Sequence, residues 1–171
     1  MLIFVKTPIR QTMPLHVEAS DTVANVKGKI SENEGISFTQ LRLKFEGKEL
    51  KDGSTLIDYN IQEKYTLDLD REVIVDLDRT HNTLRLGLSI ERRTSGTILG
   101  RSQVFVAKIH ELSLFDLWNG DHPSDAVCIG DEIVGVNDAD NITEELLNSD
   151  GKRLQICIRK TMELKGHYLQ P

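Results

Sequence analysis

Ile3 and Val5 alternate with polar neighbours, and so do Met13, Leu15 and Val17, with the turn-like residues Thr7 to Gln11 between the two runs. A period of two on short runs joined by a turn predicts a β-hairpin with one buried face. The period then changes. Val23, Val26 and Ile30 fall at i, i+3 and i+7 behind Ser20-Asp21-Thr22, residue types that cap helix starts. Lys27 lies on the same stripe, its aliphatic stem along the edge of the core. Gly35 is placed to end the helix in a left-handed conformation. Gly28, inside the helix, costs about 1 kcal/mol against alanine, so packing has to outweigh propensity there. Leu41 to Phe45 and Lys48 to Leu50 predict a second hairpin turning at Gly47, and Thr66 to Asp70 a closing strand.

No Gly-, Pro- or Ser-rich linker follows. Val73, Val75 and Leu77 continue the alternation of Leu67 and Leu69, so one strand is expected to lead directly into the next region. There, Leu86 to Ile90 and Val104 to Ile109 read as strands, with a polar loop from Arg92 to Ser102 containing Gly96 and Gly100. From His110 to Cys128 the pattern is irregular, and Phe115, Leu117 and Trp118 are expected to bury a loop against the sheet. Gly130 to Asn137 reads as a turn and a short strand. Asn141 to Asn148 reads as a short helix with Leu146 and Leu147 inward, capped by Asn141 or Thr143. Leu154 to Ile158 alternates as a last strand.

Composition narrows the function classes. The 171 residues carry a formal net charge of −6, which implies no general affinity for nucleic acid. No apolar run is long enough to span a membrane, and Lys6, Arg10 and Gln11 interrupt the N-terminus too early for a signal peptide. Cys128 and Cys157 stand apart among Ile and Val, as small core residues do, without metal-ligand spacing. Five histidines are scattered singly. A reduced, cytoplasmic or nuclear chain without metal or other cofactor is expected. No nucleophile–base–orienter set and no GxxxxGK phosphate loop occurs, so no enzymatic activity is expected.

The stretch Arg85-Leu86-Gly87-Leu88-Ser89-Ile90 carries the candidate chemistry. A glycine between two leucines frees the backbone to turn so that its N–H groups converge, with an apolar wall beside them. A peptide C-terminus, a carboxylate beside a side chain, fits both halves, and the run after the glycine can pair with it as an added strand. Taken alone, such a tetrapeptide is equally a hairpin glycine between core leucines.

From Met1 to about Leu69 the chain resembles ubiquitin without a gap: IFVKT, SDT, NVK, EGI and DYNIQ all stand here. The resemblance implies a β-grasp fold. It departs at ubiquitin's apolar recognition patch, where Pro8, Lys44 and Asp70 stand, with Asp68 beside them. A receptor burying that patch would have to desolvate these charges unpaired, at several kcal/mol. The diglycine end is absent, so the domain is not expected to be a conjugation donor. Lys6, Lys27, Lys29 and Lys48 match acceptor lysines and read equally as solvated lysines.

Beyond it, RLGLSI, VFVAKI and GDEIVGVN stand in the order of the PDZ family's carboxylate loop, third strand and GD signature. The fold class implied is α+β: a ubiquitin-like β-grasp domain over 1–70, a PDZ-like partly open β-barrel with a short helix over 71–160, and a tail over 161–171. The resemblance implies that the N–H groups of Leu86, Gly87 and Leu88 hold the carboxylate of a partner protein's C-terminal peptide. Leu86, Leu88, Ile90 and Leu147 would line the pocket, with Ser89 on the pairing strand. Thr143 stands where the family sorts ligand classes, and Arg85 or Arg79 would add charge. Thr143 and Leu154 are so close in sequence that the groove helix is expected to be short. An open groove makes the chain a non-catalytic adaptor or scaffold; a closed one makes it purely structural. Recognition by ubiquitin-pathway or proteasome receptors through the first domain is the alternative.

Overall fold

The structure, a computed structural model, describes residues 1–7, 11–81, 83–94 and 102–160. Pro8, Arg10, Gly96, Gly100, Arg101 and the tail over 161–171 lie outside the described residues. The chain divides into two compact units, Met1–Glu72 and one opening at Val73.

In the first unit, strands β1 (Leu2–Lys6) and β2 (Thr12–His16) form the expected hairpin, with Ile3 opposite Leu15 and Val5 opposite Met13. Helix α1 (Val23–Glu34) starts at Thr22, whose Oγ1 accepts from the Asn25 N–H at 3.2 Å. It stops at Gly35, which takes φ +66° and donates to the Ser31 carbonyl. Val23, Val26 and Ile30 are fully buried beneath it, each removing apolar area worth about 2 kcal/mol. Lys27 is buried as well, and its Nζ reaches Asp52 at 2.6 Å, so the charge as well as the stem is accommodated. Strands β3 (Leu41–Phe45) and β4 (Lys48–Glu49) turn through Glu46 and Gly47, both at positive φ. The first half of β5 (Thr66–Asp78) pairs parallel with β1 and antiparallel with β3. The strand order β2-β1-β5-β3-β4, with α1 over one face, is that of the β-grasp.

In the second unit the order is β5-β9-β8-β7-β6, where β6 is Leu88–Thr94, β7 Ser102–Ile109, β8 Glu132–Val136 and β9 Arg153–Lys160. The expected partly open barrel is therefore corrected: among the described residues the sheet does not close, and β6 ends it. Its core gathers Val73, Val75, Val104, Val106, Phe115, Ile133, Ile156 and Ile158.

Other sequence readings need correcting here. Leu86 and Gly87 precede β6 rather than lying in it, and Arg92 to Thr94 and Ser102 are strand where a loop was expected. Those outer strand residues are exposed, so pairing with β7 holds them and no apolar period marks them. The irregular segment contains helix α2 (Leu114–Asp121), which buries Leu114 and Phe115 and leaves Leu117 exposed. Helix α3 (Ile142–Leu147) is capped by Asn141, whose side chain accepts from the Glu144 N–H, and not by Thr143. Leu146 is buried, but Leu147 is 77% exposed, against the inward position read for it. Cys128 is exposed and Cys157 half-buried, so neither is a core cysteine.

Candidate functional site

Helix α2, unforeseen from the sequence, builds the loop at Gly87. Ser113 caps α2 by accepting from the Asp116 N–H at 3.3 Å, and its hydroxyl donates to the His110 carbonyl at 2.6 Å. The N–H groups of Leu114 and Phe115, orphans of the first helical turn, donate to the carbonyls of Arg85 (3.1 Å) and Leu86 (3.3 Å). The His110 N–H donates to the Gly87 carbonyl at 2.8 Å. Three successive carbonyls thus point toward the segment 110–115. In a planar trans peptide the following N–H points the opposite way. The N–H groups of Leu86, Gly87 and Leu88 therefore face away from α2, and among the described residues no acceptor takes those of Leu86 and Gly87.

Gly87 bends the loop at φ +76°, and a Cβ built on it would meet the Ser113 Cβ and Oγ at 2.0 Å. Both the backbone conformation and the space demand glycine. Leu88 then opens β6 opposite Ile109. With Gly87 and His110 bonded just outside this pair, Leu88 turns its own N–H and C=O to the outer edge of the sheet.

Along β6, Leu88 and Ile90 pack half-buried against the core, and Arg92 follows on the same face at the strand's period of two. The Arg92 Nε donates to Thr143 Oγ1 at 3.1 Å, so the start of α3 lies beside that face. Leu147 is four residues on from Thr143 and shares its side of the helix. Ser89 points to the other face, where its Oγ meets His110 Nε2 at 2.9 Å.

A pocket of about 620 Å³ brings Arg85, Gly87 and Leu88 together with His110 and Ser113; Leu86, Ser89, Ile90, Thr143 and Leu147 do not line it. It sits against the α2 side of the loop, beside the N–H face and distinct from it. Arg85 is exposed there, whereas Arg79 is held by Ser149 and Asp150 and supplies no charge to the loop. Sequence reasoning missed Ser113 and His110. The signal was present in Ser113-Leu-Phe-Asp116, a capping pattern ahead of apolar residues.

The first unit can be set against known proteins. A model of the ubiquitin family matches residues 3–74. NEDD8-like protein RUB3 of Arabidopsis thaliana is 35% identical over 69 residues, which are 40% of this chain and 88% of that protein. NEDD8-like protein RUB1 of Saccharomyces cerevisiae is 35% identical over 69 residues, 40% of this chain and 90% of that protein. The chain belongs to the ubiquitin family. AN1-type zinc finger protein 4 of Mus musculus is 41% identical over 69 residues, 40% of this chain, but the chain spans only 9% of that protein's length. The family match ends at residue 74 and does not bear on the second unit.

Within this ubiquitin-family unit, the substituted patch differs from the expectation. Lys44 Nζ and Asp70 Oδ2 lie 2.5 Å apart, both partly buried, so the two charges compensate each other and are not unpaired. Arg42 lies between Glu72 (3.2 Å) and Glu49 (3.8 Å) on the same strand. Twenty-six residues separate Lys44 from Asp70, and only the β3–β5 register brings them together.

Proposed function

We propose that the chain is a non-catalytic adaptor whose second, PDZ-like unit binds the C-terminal peptide of a partner protein. One observation carries the reading: three successive carbonyls of Arg85, Leu86 and Gly87 are tied down by the segment 110–115. That arrangement turns three N–H groups to the side of an unpaired strand edge. A carboxylate satisfies such converging donors, and the peptide behind it adds a strand to β6. Leu86, Leu88, Ile90 and the exposed Leu147 offer apolar surface to its last side chain. Neither cofactor nor catalysis enters the reading, and the setting is cytoplasmic or nuclear.

Membership of the ubiquitin family supports a protein-interaction or ubiquitin-pathway role for the first unit. The second reading, a ubiquitin-pathway or proteasome-linked regulator, rests on that membership. The Lys44–Asp70 pair weighs against a receptor that reads an aliphatic patch, because burying the pair costs more than burying two aliphatic side chains.

Titration of the full chain with C-terminal peptides tests the proposal. Peptides with a free carboxylate and an apolar last residue should bind at micromolar levels, about 8 kcal/mol. They should shift the amide signals of Leu86, Gly87 and Leu88, and the C-terminal amides of the same peptides should bind at least tenfold more weakly. Equal binding of acid and amide, or no binding across a broad peptide panel, overturns the proposal.

A further inference from the structure

Arg92 and Arg93 are neighbours on β6 in different circumstances. Arg93 lies over the Phe105 ring, 4.6 Å from its centroid, and its guanidinium is paired with Glu91 at 3.2 Å. Arg92, on the opposite face, spends only its Nε, on Thr143 Oγ1. Among the described residues its two Nη groups have no partner. The acidic groups of the adjoining helix are engaged elsewhere: Glu144 with Asn141, and Glu145 with Asn137 and Lys152.

We propose that Arg92, held by Thr143, selects peptides with an acidic side chain four residues before the last. The inference rests on the peptide-binding reading and specifies its partner. If the Leu88 N–H takes the terminal carboxylate, the last ligand residue lies opposite Leu88. An antiparallel added strand then pairs one for one. The residue two before the last falls opposite Ile90, and the residue four before it opposite Arg92. Directly opposed side chains share a face, with Cβ atoms about 5 Å apart, so this ligand side chain starts beside the guanidinium. The two Nη groups form a fork matched to a carboxylate. Thr143 is β-branched and has few rotamers, so the arginine it anchors loses less freedom on binding.

The overall charge of −6 works against acidic ligands in general. A local preference is therefore best read as a ratio between matched peptides. Ten-residue peptides ending in valine with a free carboxylate, identical except for Glu or Gln four before the end, are titrated against the full chain by fluorescence anisotropy. The Glu peptide should bind about three- to fivefold tighter than the Gln peptide, the range of a partly exposed ion pair. Arg92→Gln should bring the ratio to one while leaving the Gln peptide's affinity unchanged. Thr143→Val, which keeps the shape and removes the acceptor, should reduce the ratio without abolishing binding. Equal binding of Glu and Gln peptides to the unmodified chain, with free acid still preferred over amide, refutes the role of Arg92 and leaves the peptide-binding reading standing. A Glu preference that survives in Arg92→Gln refutes it in the same way. If no free-acid peptide binds, both readings fall.

Discussion

In the first unit, charges placed near the strands close on one another: Lys44 on Asp70, Lys29 on Asp21 at 2.6 Å, and Lys27, nearly out of solvent, on Asp52. In the second unit, the carbonyls of residues 85 to 87 are consumed by the 110–115 segment, and the N–H groups behind them are left turned toward solvent. A surface whose polar groups already satisfy one another offers a partner little beyond apolar area and costs energy to desolvate. A loop with spare donors beside an open strand edge offers directional bonds not yet made. The family match covers the first kind of surface, while the candidate for recognition is of the second kind.

The comparison breaks most sharply at the second unit's own buried ion pair. Asp131 is fully buried, bonded to Lys160 and accepting from the Cys128 N–H, and Lys160 Nζ also donates to the Ala126 carbonyl at 2.5 Å. Asp131→Ala leaves an ammonium buried beside a carbonyl and should cost about 3–5 kcal/mol. Lys44→Ala in the first unit, where the pair is partly exposed, should cost less than about 1 kcal/mol. The single tryptophan, Trp118, lies in α2 and stacks on His122, so its fluorescence in urea reports the second unit. A cost for Asp131→Ala no larger than that for Lys44→Ala would mean the buried pair is not needed to hold the 126–131 segment.

Two glycines extend the contrast at a smaller scale. Gly87→Ala combines a left-handed φ with a Cβ 2.0 Å from Ser113 and should destabilise the second unit by about 2–4 kcal/mol. Gly28→Ala, inside α1 with nothing within 4 Å of the added carbon, should stabilise the first by about 1 kcal/mol. Because Gly87 is required for packing, its replacement removes peptide binding whether or not the N–H groups act. Amidated peptides separate the two causes, and substitution at Gly87 does not.

How far the sequence could be read follows the same division. In the first unit the signals are local: Thr22 and Gly35 bound the helix, Gly47 marks the turn, and the periods of two and 3.6 residues coincide with burial. In the second, β6 runs on through Glu91, Arg92, Arg93 and Thr94, all exposed, so its length comes from a partner strand distant in sequence. Helix α2 is two turns long, too short for a period to stand out, and Leu117 on its outer side blurs what period there is. The motif at Gly87 was legible as a turn with donors. What fixes the direction of those donors, the 110–115 segment, could not be read from the motif itself. Leu147 shows the converse error: adjacency to Leu146 suggested an inward side chain, but consecutive helical residues lie about 100° apart and only one faces the core.

The first unit's closed patch yields a smaller effect. Titration with a generic ubiquitin-binding helix should leave the amide signals around Lys44 and Asp70 unmoved, because the helix would have to bury or separate an ion pair 2.5 Å long. Lys44→Leu with Asp70→Val removes both charges together, and folding stability should change by less than about 1 kcal/mol. Micromolar binding by the unmodified chain at this face would show that the pair does not close it.

The smallest expected effect concerns acid stability, to which each unit contributes a carboxylate held by neighbours. The carboxyl of Asp21 is held below the usual carboxylate range, first by the hydrogen bond from Lys29 and then by the Glu18 N–H. Glu145 is shifted the same way, first by the Asn137 amide and then by Lys152. A folded-state pKa below the unfolded value means that the contribution is fully present above the unfolded pKa, about 3.9 for Asp and 4.3 for Glu. It is lost as the pH falls through the folded pKa. Asp21→Asn should therefore flatten the acid limb of the first unit's stability curve below about pH 4, with little change in the second unit followed by Trp118. Glu145→Gln should do the reverse. Both pairs lie near the surface, so each difference should stay under about 1 kcal/mol and shrink in high salt. An Asp21→Asn curve parallel to the unmodified one down to pH 2 would show that Lys29 holds Asp21 no more firmly in the folded state than in the unfolded chain.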